Sequence, residues 1–467
     1  MVYCADRLSG AIFDPSWFAL DTSRGIEGPD VKVYMRATVF ISEYLIYIPA
    51  IVTFLRRYTR MHGVHAWSAS IALAAILLQP ATILIDHGHF QFNTVMLGLV
   101  VASLDAILAG RMLWACIFFV GALGFKQMAL YYAPVMFAYL LGVCVFPRLH
   151  VFRLLNIALI TLAAFALLLA PLLYGATGTE ARDLFASSPE PPLLQALSLS
   201  LNKRSLAYAL LFQTTQIIHR VFPFARGLFE DKVANAWCAI HTFYKLNRFD
   251  ASLLQRASLG ATLSSILVPC IVIFRHPRAS LLLPAMSCVA WGFFLFSFQV
   301  HEKTVLLPLL PMTLSLASDG GLSKQSRAWV GWANVLGCWT MYPLLKREEL
   351  RLPYFTLTLL WAYLMGLPPT SFEIFRSQTS PDDKPLEPHL LSKLVQLAFY
   401  LVMIGWHVLE AAIPPPEGKP DLWVVINALI GAAGFGLAYL WCLWNLVVQC
   451  REIEARANAE GSQKKKQ

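Results

Sequence analysis

Three short clusters place ionisable side chains between long apolar runs. The first is Asp86-His87-Gly88-His89-Phe90-Gln91-Phe92-Asn93. Asp and His in such a turn can hold a sugar hydroxyl, or a metal through His87 and His89. Equally, Asp86 or Asn93 can accept backbone N–H groups at a helix start, a purely capping role. In the second cluster, Gly124-Phe125-Lys126-Gln127, Lys126 stands at a helix end, where lysines ordinarily snorkel to the interface. The third, Gln299-Val300-His301-Glu302-Lys303, packs three charge-bearing groups between apolar helices. Charges at such depth are costly and face a cavity or one another, so a simple Glu302–Lys303 pair is the alternative to a site. Taken together, Lys and His beside membrane-embedded grooves suit an anionic phosphate on a lipid tail, because low local dielectric strengthens the contact. Glu43 and Asp105 lie within apolar runs and need polar partners from neighbouring helices. There is no Gly-rich phosphate loop, Walker lysine, Ser-His-Asp arrangement or zinc-ligand spacing, which argues against nucleotide-driven pumping and short-motif hydrolases.

Those clusters need elements to hold them, and composition says what kind. Of 467 residues, 57% are hydrophobic and 14% charged, and the mean hydropathy is +0.57. Soluble domains run nearer 25% charged, so an ordinary cytosolic enzyme, a disordered chain and a disulfide scaffold are all excluded. The expected fold class is all-α, a polytopic transmembrane helix bundle. Thirteen apolar runs are candidate membrane segments: 38–55, 67–85, 92–109, 112–125, 129–146, 154–174, 253–274, 281–298, 305–317, 328–345, 354–367, 390–413 and 422–448. They are continuous rather than alternating, which indicates helices and not a barrel. Nine cysteines show no paired spacing, and most lie in apolar runs as small hydrophobes.

The net charge of +9 reads as topology rather than nucleic-acid binding. Arg56, Arg57 and Arg60, then Arg148 and Arg153, Arg275 and Arg278, Lys324 and Arg327, and the tail with Arg451, Arg456 and Lys464 to Lys466 fall on one side, expected to be cytosolic. The three polar clusters and the stretch 175–250 fall on the opposite, luminal side, together with Lys346, Arg347 and Arg351. The organisation is therefore a luminal stretch 1–37, a first membrane block 38–174, a luminal loop 175–250, a second block 251–448 and a basic tail 449–467. The loop carries Phe222, Phe224, Phe229, Trp237, Phe243 and Tyr244 interleaved with Arg220, Arg226 and Lys232, a pattern of short helices lying in the interface. An odd number of spans with a cytosolic tail puts the N-terminus in the lumen, so one further N-terminal crossing is expected.

The same residues carry a resemblance. The stretch 86–93 with Leu97-Gly98-Leu99, the run 125–135 and the run 300–311 resemble motifs of the dolichyl-phosphate-glucose-dependent glucosyltransferases of the GT-C class, which extend the lipid-linked oligosaccharide for N-glycosylation. The likeness runs from about Phe13 to Trp444. Within the family, 13–25 and 222–235 are similar to the first-glucose member, which acts on a nine-mannose acceptor. Family members open with a transmembrane helix and an acidic luminal loop before the segment that here begins at Phe13, so the resemblance implies an N-terminally truncated chain. The donor it implies is dolichyl phosphate glucose, the acceptor a dolichyl-pyrophosphate-linked oligosaccharide, and the setting the endoplasmic-reticulum membrane with a luminal active face and a cytosolic C-terminus. Lys464-Lys465-Lys466-Gln467 is similar to a dilysine retrieval signal on that side.

The reaction so implied is a single inverting displacement forming an α-1,3 linkage without metal or other cofactor. By position, His301 and Lys303 are expected near the donor phosphate, with Lys126 and Arg220 as further candidates, and Asp86, His89 and Gln91 along the sugar. The general base is expected in the missing acidic loop, with Asp86 as a fallback. Two rivals stand: a polytopic transporter, which needs ionisable residues along a path through the bilayer, and a catalytically dead truncated glucosyltransferase.

Overall fold

Prolines interrupt several helices, and at two of them a tyrosine hydroxyl meets the freed carbonyl. The computed structural model describes residues 14–19, 25, 26, 28–221, 232–318, 321–367 and 390–464, with side chains to 455. Among them there is no strand. Every one of the thirteen apolar runs is helical. Eight helices are long and apolar enough to cross a membrane: α1 (Pro29–Met61), α2 (Ala66–Gly88), α5 (Gln127–Val145), α6 (Val151–Gly175), α11 (Ala251–Arg275), α12 (Ala279–Phe296), α17 (Leu390–Ala412) and the apolar part of α18 (Leu422–Lys464). The remaining runs form shorter helices: α3 (Asn93–Leu108), α4 (Met112–Phe125), α13 (Leu306–Leu314), α14 (Lys324–Thr340) followed by α15 (Tyr342–Arg347), and α16 (Arg351–Leu364). At 1.5 Å per residue a 14-residue helix is about 21 Å long, short of a ~30 Å hydrocarbon core. The chain is a multi-pass membrane protein with eight full-length candidate spans and shorter helices packed among them.

Two borders move from the hydropathy reading. The first helix starts at Pro29 rather than 38, because its polar opening turns, with Asp30, Lys32 and Arg36, are helical without being apolar. The C-terminal helix runs on to Lys464, so the basic tail is largely a continuation of α18 through the helix formers Glu, Ala and Arg. The stretch 175–250 holds α7 (Thr179–Ser187), α8 (Pro192–Leu197), α9 (Leu206–Val221) and α10 (Ala236–Phe243). Phe243 and Tyr244 are exposed there, while Phe222, Phe224, Arg226 and Phe229 lie outside the described residues. Arg327 departs from its topological role: it is buried and donates to the Leu322 and Met365 carbonyls at 2.9 and 3.0 Å.

The core centres on α12, which packs against α11, α13, α5 and α18 and buries Trp291 beneath Phe294 and Phe435. By contrast α6 buries almost none of its length and shows Leu155, Leu159, Leu162 and Leu167 outward, as a lipid-facing helix does. Prolines inside helices free carbonyls that lipid cannot satisfy. Pro311 deprives the Leu307 carbonyl of its helical donor, and the Tyr132 hydroxyl supplies one at 2.6 Å. Pro269 does the same to Ser265, whose carbonyl accepts from Tyr439 Oη at 2.7 Å. Deep in the bundle Gln79 donates to Asn334 and accepts from Thr82, while Asn334 donates to Thr313, a neutral network joining α2, α13 and α14.

Candidate functional site

Two wide π turns set the geometry of the site. Pro49 lacks an N–H and its ring crowds the carbonyl four residues back, so α1 widens over Glu43–Tyr47 before it. In α2, Pro80 breaks the helix after Leu77, and a second π turn, Leu84–Gly88, ends it. These turns face each other: His87 Nε2 meets Glu43 Oε2 at 2.5 Å. Gly98 of α3 lets the first turn approach, since a Cβ there would stand 2.8 Å from Tyr47 Cα. Phe90, at φ 71, then reverses the chain into α3.

Asp86 is fully buried, with Oδ1 accepting from Asn93 Nδ2 at 2.8 Å and Oδ2 from the Thr94 amide at 2.6 Å. That is a capping arrangement for the N-terminus of α3. Asn93 passes the network on. Its Nδ2 also donates to Gln91 Oε1 at 3.1 Å, and the Lys126 ammonium donates to Gln91 Oε1 at 3.0 Å and to Asn93 Oδ1. Burial, the largest influence, pushes the Lys126 ammonium below the ordinary lysine value; Asp86 opposes this and Lys303 adds to it. Lys303 is therefore close enough to Lys126 for the two cations to repel. Among the described residues the Lys303 ammonium has no hydrogen-bond or ion-pair partner.

A second tier surrounds this centre. His89 Nδ1 is hydrogen-bonded to Glu348, and Arg347 Nη2 lies 3.9 Å from Glu302 Oε1. The connections 86–93, 126–127, 299–303 and 346–349 thus meet at one end of the bundle. His301 caps the turn Glu302–Val305, its carbonyl accepting from Thr304 Oγ1 at 2.6 Å. Arg220 is exposed on α9, which packs chiefly on α6, α7 and α8 and not on the elements carrying Asp86, Lys126 or Lys303. Glu302 pairs toward Arg347 rather than Lys303, which separates the adjacent charges of the third cluster.

Sequence reasoning did not single out Asn93, Glu348 or Arg347 as site residues. The visible signal for the last two was a charged cluster, Lys346 to Glu349, between apolar runs. Glu43 and Asp105 each have the partner their burial requires, His87 and Arg57, the latter with Nε donating at 2.8 Å. His87 and His89 turn to separate carboxylates, Glu43 in α1 and Glu348 in the turn after α15.

The arrangement gathers half-buried cations, a shared amide and capped turns at one end of the bundle, a chemistry able to hold an anion. Sequence comparison meets this geometry. A family model described as "ALG6, ALG8 glycosyltransferase family" matches residues 2–185 and 201–444. A Schizosaccharomyces pombe protein named probable dolichyl pyrophosphate Man9GlcNAc2 alpha-1,3-glucosyltransferase is 40% identical over 436 residues, 93% of this chain and 76% of its own length. The Saccharomyces cerevisiae protein named dolichyl pyrophosphate Man9GlcNAc2 alpha-1,3-glucosyltransferase is 38% identical over 460 residues, covering 94% and 77%. The Gallus gallus protein of the same name is 33% identical over 444 residues, covering 91% and 78%. With the matched residues taking in the helices that build the site, this chain belongs to the ALG6, ALG8 glycosyltransferase family.

Proposed function

We propose that this protein transfers glucose in an α-1,3 linkage to dolichyl-pyrophosphate-linked Man9GlcNAc2, with dolichyl phosphate glucose as the donor. The endoplasmic-reticulum membrane is the setting such lipid-linked chemistry requires, with the polar end of the bundle luminal. One observation supports this reading most: the Lys303 ammonium beside half-buried Lys126, at the same end as the capped Asp86–Asn93 turn. In the proposed reaction a carboxylate base takes the acceptor hydroxyl proton as the oxygen attacks the anomeric carbon, the bond from that carbon to the phosphate oxygen breaks, and dolichyl phosphate departs as an anion. Lys303 and Lys126 offset the charge that grows on the departing phosphate, as preorganised cations do in a low-dielectric site. His301 stands on the same turn as Lys303 and lies within the proposed phosphate region; Arg220, the other donor-phosphate candidate, is exposed on α9, away from that turn.

Gln91 and His89 are proposed along the sugar. Asp86, with both oxygens engaged and no exposure, positions this turn rather than removing the hydroxyl proton. The deep Gln79–Asn334–Thr313 network is neutral and satisfied internally, which favours transfer at a surface over a transport path.

Expression in cells that lack this glucosyltransferase, followed by profiling of their lipid-linked oligosaccharides, tests the function: conversion of the unglucosylated nine-mannose species to a monoglucosylated one is expected, and persistence of the unglucosylated species refutes the assignment.

A further inference from the structure

A second cluster of ligand-type side chains stands a full helix length from the proposed transfer site. His276 ends α11, and Cys450 and Glu454 occupy one face of α18 at the i and i+4 positions. His276 Nε2 and Glu454 Oε1 are 3.0 Å apart, and the ligand atoms of all three side chains lie within 4.8 Å of one another. The 18-residue α12 separates this cluster from the 299–303 turn, a distance of about 27 Å at 1.5 Å per residue.

We propose that His276, Cys450 and Glu454 form a zinc-class divalent metal site that fastens the C-terminal helix to the connection between α11 and α12. The donor set is one imidazole nitrogen, one thiolate and one carboxylate. Nitrogen with sulfur selects a borderline-soft ion such as Zn²⁺ over Mg²⁺ or Ca²⁺, which favour all-oxygen shells. Bond lengths of about 2.0–2.3 Å in a tetrahedral shell put neighbouring ligand atoms roughly 3.3–3.8 Å apart. The His–Glu separation is already near that range, so side-chain rotation of Cys450 and Glu454 completes the shell without moving backbone. Charge balances as well: one thiolate and one carboxylate neutralise a dication. Binding converts the thiol to thiolate and releases its proton to solvent. Cys450 is buried and Glu454 exposed, which leaves the fourth position open to water. The thiol is available, since Cys450 is free of any disulfide.

The surrounding contacts say what the ion would do. α18 touches the turn Ala279–Leu281 just beyond His276; Cys450 and Ile453 still pack on the core, while Arg451, Glu452, Glu454 and Ala455 beside them are exposed. A metal bridge there adds a fastening at the edge of that apolar packing, where the exposed face of α18 begins.

The test uses the full chain purified in detergent, equilibrated with Zn²⁺ and then desalted. About one zinc per chain is expected by elemental analysis. Replacing zinc by Co²⁺ should give a thiolate-to-cobalt charge-transfer band together with intense tetrahedral d–d absorption. His276→Ala and Cys450→Ala should each weaken binding more than about 100-fold, because even outer-shell partners cost 10–100-fold. Thermal melting should rise with zinc in the wild type and not in Cys450→Ala. Wild-type protein that holds no zinc, or a cobalt form without the thiolate band, overturns the proposal and leaves a His276–Glu454 ion pair. Both of those readouts come from unmutated protein, so a variant that fails to fold does not shelter the idea.

Discussion

At the residue scale, Lys126 and Lys303 illustrate how burial turns ordinary lysines into a binding device. A lysine at a helix end normally reaches water. Here Lys126 instead spends two of its donors on Gln91 and Asn93, and its depressed pKa reflects burial first, Asp86 opposing and Lys303 adding. A bound phosphate would relieve that penalty, so donor affinity should fall as pH rises through the depressed Lys126 value. The sign follows from charge: deprotonation removes the cation that the anion needs. Lys126→Arg keeps its charge throughout and should show a flatter profile of donor KM against pH. A wild-type profile flat up to the ordinary lysine range, about 10.4, removes Lys126 from the donor site. Lys303, lacking any internal partner among the described residues, should matter more simply: Lys303→Ala raises donor KM at least about tenfold, the weight of one charge-assisted contact of roughly 1.5–3 kcal/mol. Unchanged donor KM in Lys303→Ala would remove it from the phosphate position.

At the scale of elements, the site depends on two helices being irregular in the same place. The π turn of α1 and that of α2 bring Glu43 and His87 together, and α3 must lie close against the first turn for Asp86 to cap it. Gly98 is the residue that permits this, because a methyl group there meets main-chain atoms of Tyr47 at 2.8 and 3.0 Å rather than a side chain that can swing away. Gly98→Ala should therefore cost about 1–3 kcal/mol through forced separation of α1 and α3, seen as a lower melting temperature and weaker glucosylation. Gly436, with nothing within 4 Å of its added Cβ, is the control: Gly436→Ala should be neutral or slightly stabilising, as helix propensity dictates. Equal melting temperatures for the two variants would show that the close approach carries no weight.

At the scale of the whole molecule, the two ends of the bundle differ in kind. One gathers the capped turn, Lys126, Lys303, Arg347 and Glu348; the other gathers arginines of the connections with His276, Cys450 and Glu454. In the proposed orientation, which follows the positive-inside bias, the first end faces the lumen. An N-glycosylation acceptor sequence inserted next to Asn202 should become glycosylated, and one appended after Gln467 should not. The reverse pattern would invert the orientation and remove the luminal assignment of the site.

Composition and runs of apolar residues determined the solvent, the all-α class and where the apolar helices lie, because a helix in lipid satisfies its own backbone and needs only about 20 apolar residues to do so. The sequence also marked the three polar clusters, since charge beside an apolar run is costly wherever the fold places it. It offered both capping and sugar binding for Asp86 without choosing between them, and it did not reveal that Arg327 is buried to cap carbonyls. Nor did it show that Glu348 reaches His89, or that His276 meets Cys450 and Glu454. Those are pairings between residues far apart in the chain, and no local periodicity or spacing encodes them. Only the packing of one irregular helix against another decided them.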